Sequence, residues 1–220
     1  MDFDFRSSLE EAFPASADAN LARAVSEGIL LADDMMKREP TLRTVIGSDL
    51  RGHIRRNGVL FRVHESAKAG DLPFEAEMVP MPRGSWHWLE LRSGSYKAHI
   101  CRSEGPEKFP EDTPTRQDER LENQFDFFKL LRPEVVVDLP PKVWAAWLTY
   151  NVFPDGTLGH LCWGMPSAHT DVWLARINVL RRLAESSAES APEAPSKGLG
   201  LRFRDFVEDA LSKERDETRG

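Results

Sequence analysis

Apolar residues Leu21, Val25, Ile29 and Met36 recur along one side of the stretch Ala17–Arg38, and the spacing predicts a helix that Pro40 ends. Ser16 or Asp18 is placed to cap its start. Leu42, Val45, Ile46, Leu50 and Ile54 mark a second helix from Thr41 to about Arg56, closed by Asn57-Gly58 read as a turn. The period then changes to β: Val59–His64 reads as a strand, 65–73 as a polar loop, and Glu75–Val79 as a short strand. Trp86–Arg92 and Tyr96–Arg102 flank Ser93-Gly94-Ser95 and predict a hairpin, in which His99 stands across from about Glu90. Residues 103–120 hold three prolines and few apolar side chains, and read as a loop. Val135–Leu139 reads as a buried strand. Val143–Phe153 and Leu158–Met165 predict a second hairpin around Pro154-Asp155-Gly156-Thr157. A long helix is expected from Ser167 or Thr170, with Val172, Trp173, Leu174, Ile177, Leu180 and Leu183 as its stripe.

The fold class expected is α+β: an antiparallel, hairpin-built sheet flanked by N-terminal and C-terminal helices. Residues 1–184 form one domain, with Phe3, Phe5 and Phe13 on an N-terminal arm and a motif-bearing loop or helix at 103–132. Residues 185–198 read as a linker and 199–220 as a short helix with a charged tail.

Composition narrows the function. Apolar residues make up 40% of the 220-residue chain, enough for a substantial core. The net charge of −7 argues against direct nucleic-acid binding, which wants clustered Lys and Arg. Arg43, Arg51, Arg55 and Arg56 form the most basic stretch, read first as a solvated helix face and second as a phosphate or acidic-partner contact. Cys101 and Cys162 lack metal-ligand spacing and read as small buried residues on strands. No basic leader or membrane-length apolar run is seen, so no membrane contact and a cytoplasmic location are expected.

Active-site signatures are sparse. The six histidines form no metal-binding pair, and no nucleophile elbow or phosphate loop is present. No catalytic residue, metal or cofactor is therefore expected. A signature-free nuclease or hydrolase site built from scattered Arg, His and Glu stays open, as does a non-catalytic regulatory subunit using a Trp-rich sheet surface.

The densest feature is Gln124-Phe125-Asp126-Phe127-Phe128, which carries three of the twelve phenylalanines beside the polar 103–120 segment. The pattern of Gln, apolar, Ser or Asp, apolar, Phe resembles the short peptide by which bacterial replication and repair proteins dock on the DNA sliding clamp. In that resemblance Gln124 is the rim contact, Phe127 and Phe128 are the anchors, Phe125 is a supporting apolar contact, and Asp126 fills the middle position. Phe at 125 and 127 departs from the more usual Leu. The same run also suits an amphipathic helix packed into its own core, with Leu121, Phe125 and Phe128 on one face.

With no catalytic signature alongside, the chain resembles the SocB-like clamp-binding toxins of bacterial toxin–antitoxin pairs. The resemblance implies that it inhibits DNA replication by competing with polymerase and other clients for the clamp, the polymerase's beta subunit. It also implies an antitoxin that acts as proteolytic adaptor and hands the toxin to the ClpXP protease.

Overall fold

The computed structural model describes residues 4–81, 86–124 and 143–189. The first compact unit spans Met1–Leu183; of the second, Ala184–Gly220, only the part up to residue 189 is described. The helices are α1 (Phe5–Ala12), α2 (Asp18–Arg38), α3 (Val45–Asp49), α4 (Arg51–Lys68), α5 (Pro114–Leu121) and α6 (Val179–Glu189). The strands are β1 (Glu75–Pro80), β2 (His87–Ser93), β3 (Tyr96–Arg102), β4 (Trp144–Val152), β5 (Leu158–Pro166) and β6 (Trp173–Asn178). They form one six-stranded sheet in chain order.

Every neighbouring pair is antiparallel except β3 and β4, which run parallel with Tyr96 opposite Trp144. The sheet is thus two three-stranded meanders joined along a parallel seam. Parallel neighbours need a crossover rather than a tight turn. Residues 103–143 are that crossover, and the Gln124 segment lies on it. The α+β class expected from the sequence is the one observed, with helices at both ends flanking a mostly antiparallel sheet.

One face of the sheet packs on α1, α2 and α4. Leu89, Leu91, Ala98, Ile100, Ala146, Leu148, Leu161, Trp163 and Met165 meet Leu9, Leu21, Val25, Ile29, Val59 and Val63 in a single core. Phe13 stacks on Trp163 with ring centroids 3.8 Å apart, so the N-terminal arm is a core element. Asp4 caps α1 by accepting from the backbone N–H groups of Arg6 and Ser7. Asp18, buried at the start of α2, receives Arg182 of α6 at 2.5 and 2.6 Å. No side chain caps α2, whose N-cap is Ala17, in place of the Ser16 or Asp18 expected.

Several sequence expectations are corrected, among them the single helix from Thr41 to about Arg56, which is a 3-10 turn at Pro40–Arg43, then α3, then the start of α4. The strand at 59–64 and the turn at Asn57-Gly58 are instead the middle of α4, where Val59, Leu60 and Val63 are buried at helical spacing. Gly58 is there for close approach: α2 and α4 cross where a Cβ on Gly58 would lie 2.2 Å from the Gly28 carbonyl oxygen, and one on Gly28 would lie 2.5 Å from the Gly58 oxygen. The helix expected from Ser167 or Thr170 starts only at Val179, because Trp173–Asn178 pairs with β5 as β6 and buries Ala175 and Ile177 at a period of two. The loop 103–120 contains α5, capped by the Thr113 hydroxyl and opened by Pro114. Both hairpins stand where the sequence placed them, with Gly94 and Gly156 supplying positive φ at the turns and Glu90 opposite His99. The strand expected at 135–139, most of the linker at 185–198 and the helix at 199–220 lie outside the described residues.

Candidate partner-docking site

The described part of the crossover, residues 103–124, packs against the second face of the sheet, and α5 is the part that fixes it. Its sequence, Pro-Thr-Arg-Gln-Asp-Glu-Arg-Leu, has no apolar stripe, and its buried residues are the charged Glu119 and Arg120. Polar contacts must therefore hold it. Glu119 accepts from Trp147 Nε1 at 2.7 Å and meets His99 Nδ1 at 3.0 Å. Arg120 lies near the Phe109 ring and donates to Ser167 O, Thr170 O and Asp171 Oδ1 at 2.7–3.0 Å. Glu122 accepts from Lys97 Nζ at 2.7 Å.

Asn123 completes the attachment. Its amide donates to Ala145 O and Pro166 O and accepts from Ala145 N–H, each at 2.8 Å, and the residue is 2% exposed. The β4–β5 ladder explains the arrangement. It runs in register as far as Trp147 opposite Gly164, and two residues further on the same step would set Ala145 against Pro166, which has no N–H to give. The Asn123 amide supplies the missing donor and acceptor, as a peptide group of a further strand would.

One residue later the chain turns outward. Gln124 is exposed, its backbone N–H bonded to Leu121 O at 3.0 Å, and Leu121 is itself 48% exposed. Positions 119, 120, 122 and 123 thus tie down while 121 and 124 face solvent. Phe125, Asp126, Phe127 and Phe128 lie outside the described residues. Truncating Asn123 to alanine would strand buried backbone groups of Ala145 and Pro166, at about 1–3 kcal/mol for each unsatisfied group. We expect Asn123→Ala to lower the urea midpoint clearly, and Asn123→Asp, which swaps two donors for a charge against two carbonyls, to lower it further.

Beneath α5 lies a constellation that the sequence did not reveal. His99 is sandwiched between Glu90 and Glu119, and its ring stacks on Trp88 at 3.9 Å. Nε2 sits 3.5 Å from Glu90 Oε2, within ion-pair range but without a hydrogen bond. Burial works against the imidazolium, yet the carboxylates of Glu119 and Glu90 outweigh it and raise the His99 pKa above the ordinary 6.5. His99, helped by Arg92 and against the effect of burial, holds Glu90 down at about 2. An acid–base grouping of this kind suggests catalysis when it opens to substrate. Here all three residues are 5–6% exposed, so the group serves as an internal ionic joint between β2, β3 and α5. The missing signal was Glu119: the Glu90–His99 register was legible, but α5 was not.

A second pairing, Ser103 Oγ with His160 Nε2 at 3.0 Å, is also buried. Desolvation lowers the His160 pKa, and no carboxylate among the described residues forms an ion pair with it to orient it as a base. Cys101 and Cys162 are buried thiols on β3 and β5, each pushed up to about 11 by desolvation. Among the described residues no group of His, Cys, Asp and Glu is arranged to hold a metal ion, and no helix is long and apolar enough to cross a membrane.

No family model, curated protein or solved structure matches this chain. The functional reading rests on its own residues.

Proposed function

We propose that this chain is an interaction protein that docks Gln124–Phe128 on the bacterial DNA sliding clamp and inhibits replication by occupying the cleft that polymerase uses. The observation that carries the reading is the exposure of Gln124 directly after the anchored Asn123. A docking peptide gains affinity when its first contact is presented from a rigid point, because less freedom is lost on binding. The exposed Leu121 beside it extends the apolar contact. Phe127 and Phe128 then act as the buried aromatic anchors in which interface energy concentrates. The net charge of −7 fits a protein that binds a DNA-holding protein rather than DNA. The effect is competition by mass action: one cleft admits one peptide. As the toxin of a toxin–antitoxin pair, the chain would be kept in check by an adaptor that delivers it to the ClpXP protease.

The test is a pull-down with purified sliding clamp. Wild type is expected to bind, Gln124→Ala to bind more weakly, and Phe127→Ala/Phe128→Ala to lose roughly 30-fold or more in affinity, the loss of one strong hot spot. Growth inhibition on expression should fall in the same order. Thermal melts of each variant accompany the binding data, because a buried Phe truncation costs about 3–5 kcal/mol and can mimic lost function. Clamp binding and toxicity that persist in folded variants would sink the reading.

A further inference from the structure

The C-terminal ends of β3 and β4, the turn after β4 and the first turn of α4 border an open cleft of about 420 Å³, a volume suited to a small ligand. It is lined by Arg51, Gly52, Arg55, Arg102, Tyr150 and the 151–154 turn. It lies at the other end of β4 from Asn123 and is independent of clamp docking.

The lining is unusual in what it leaves unmatched. Arg55 is already engaged: its guanidinium grips both Asp33 carboxylate oxygens at 2.7 Å and donates to Phe153 O, which pins the turn to α2 and α4. Arg51 and Arg102 form no ion pair among the described residues, and neither does Arg56 nearby. Three of the lining residues are arginines and none is an acid; with Arg55 matched by Asp33, Arg51 and Arg102 are left as the uncommitted positive charge of the cleft. Gly52 keeps the start of α4 bare, and a Cβ there would stand 3.7 Å from Arg102 Nη1, so the Arg102 guanidinium lies across the helix start.

Tyr150 supplies the second, separate observation. The residue as a whole is 2% exposed and lines the cleft, and no described residue takes its hydroxyl, which is not among the sealed, unpartnered polar atoms and so is reached from the cleft. A phenol oxygen placed this way can donate to a ligand in the cleft as readily as to water. Burial pushes its pKa up to about 12 against the pull of Arg56, Arg102 and Arg55, so the phenol remains a donor.

We propose that this cleft binds a small phosphorylated ligand, its phosphoryl oxygens taken by the guanidinium groups of Arg51 and Arg102 and by the Tyr150 hydroxyl. A phosphate monoester matches this set best, because a tetrahedral dianion accepts from two guanidinium forks and a phenol at once. The first turn of α4 adds the positive end of an 18-residue helix. A nucleic-acid strand fits less well, because it would need the basic surface to continue beyond this one cleft.

The experiment is isothermal titration of the full chain with inorganic phosphate and with pyrophosphate, against chloride at matched ionic strength. Wild type should show saturable binding of both. Arg102→Ala, Arg51→Ala and Tyr150→Phe should each weaken it by about tenfold, the effect of one charge-assisted hydrogen bond. Tyr150→Phe is the decisive variant: it removes an unbonded hydroxyl, so it should leave the melting temperature of the free protein unchanged or raised while affinity falls. Phosphate binding that does not saturate, or that survives both Tyr150→Phe and Arg51→Ala, overturns the proposal. So does a single-stranded oligonucleotide that binds through these residues more tightly than pyrophosphate does.

Discussion

Gly58→Val should cost at least about 3 kcal/mol of folding stability, at or beyond the top of the usual range for an overfilled core. The added Cβ would stand 2.2 Å from the Gly28 carbonyl oxygen and 3.2 Å from Ala32 Cβ. No rotamer relieves a contact with backbone, so α2 and α4 must separate and the shared core of Val25, Ile29, Val59 and Val63 must open. Gly58→Ala meets the same Cβ clash. Its gain in helix propensity, about 1 kcal/mol, is too small to compensate. Asn57→Ala, one residue earlier and exposed, is the internal control. In a helix it should be neutral or stabilising by a few tenths of a kcal/mol, whereas a turn would lose its preferred residue. Urea denaturation of the three variants decides the matter. A Gly58→Val midpoint within error of wild type would show that the two helices do not cross in this way.

The second large effect is expected at His99. His99→Phe keeps a ring to stack on Trp88 but leaves Glu90 and Glu119 buried without the cation between them. Removing one partner of a buried ionic group costs about 3–5 kcal/mol. The pH dependence gives the cleaner signature. In wild type the His99 pKa is raised, so its contribution is complete below the unfolded value of 6.5 and fades as pH rises through the higher folded value. Glu90 has the opposite sign: its contribution is complete above the unfolded 4.5 and is lost as pH falls toward about 2. Wild type should therefore be most stable, as far as this group is concerned, between about pH 4.5 and 6.5. In His99→Phe the imidazolium contribution is gone, while Glu90 keeps Arg92 at 2.7 Å. The variant should therefore lack the loss of stability that wild type shows as pH rises above about 6.5. Thermal melts across this range would show it, and parallel wild-type and variant profiles would refute the ionic joint.

What the sequence made legible follows from what each element depends on. The α2 stripe and both hairpins depend on local periodicity and turn chemistry, and they stand as read, including Glu90 opposite His99. Gly58 was misread because its reason lies in a different helix: Asn57-Gly58 looks like a turn until Gly28 is set against it. β6 was misread because Trp173, Leu174, Ile177 and Leu180 satisfy a helical stripe, while Ala175 and Ile177 satisfy alternation; pairing with β5 chose the second. α5 was missed because its buried residues are charged, although Thr113-Pro114 offered a capping signal. With it went Glu119 and Asn123, the residues that seal the ionic joint and fix the point from which Gln124 emerges. The Tyr150 cleft was only half visible: the arginine run was seen as a basic surface, but Arg102 and Tyr150 join it through the sheet.

The parallel seam has a consequence for how the molecule comes together. Each meander closes through short connections, whereas β3 can meet β4 only after the long crossover has been drawn round, so that join carries the greatest loop-closure entropy in the sheet. Parting there would leave the ladders within each half whole. The Asn123 amide, bonded to β4 and β5 from the crossover side, acts as the clasp on that late-forming join.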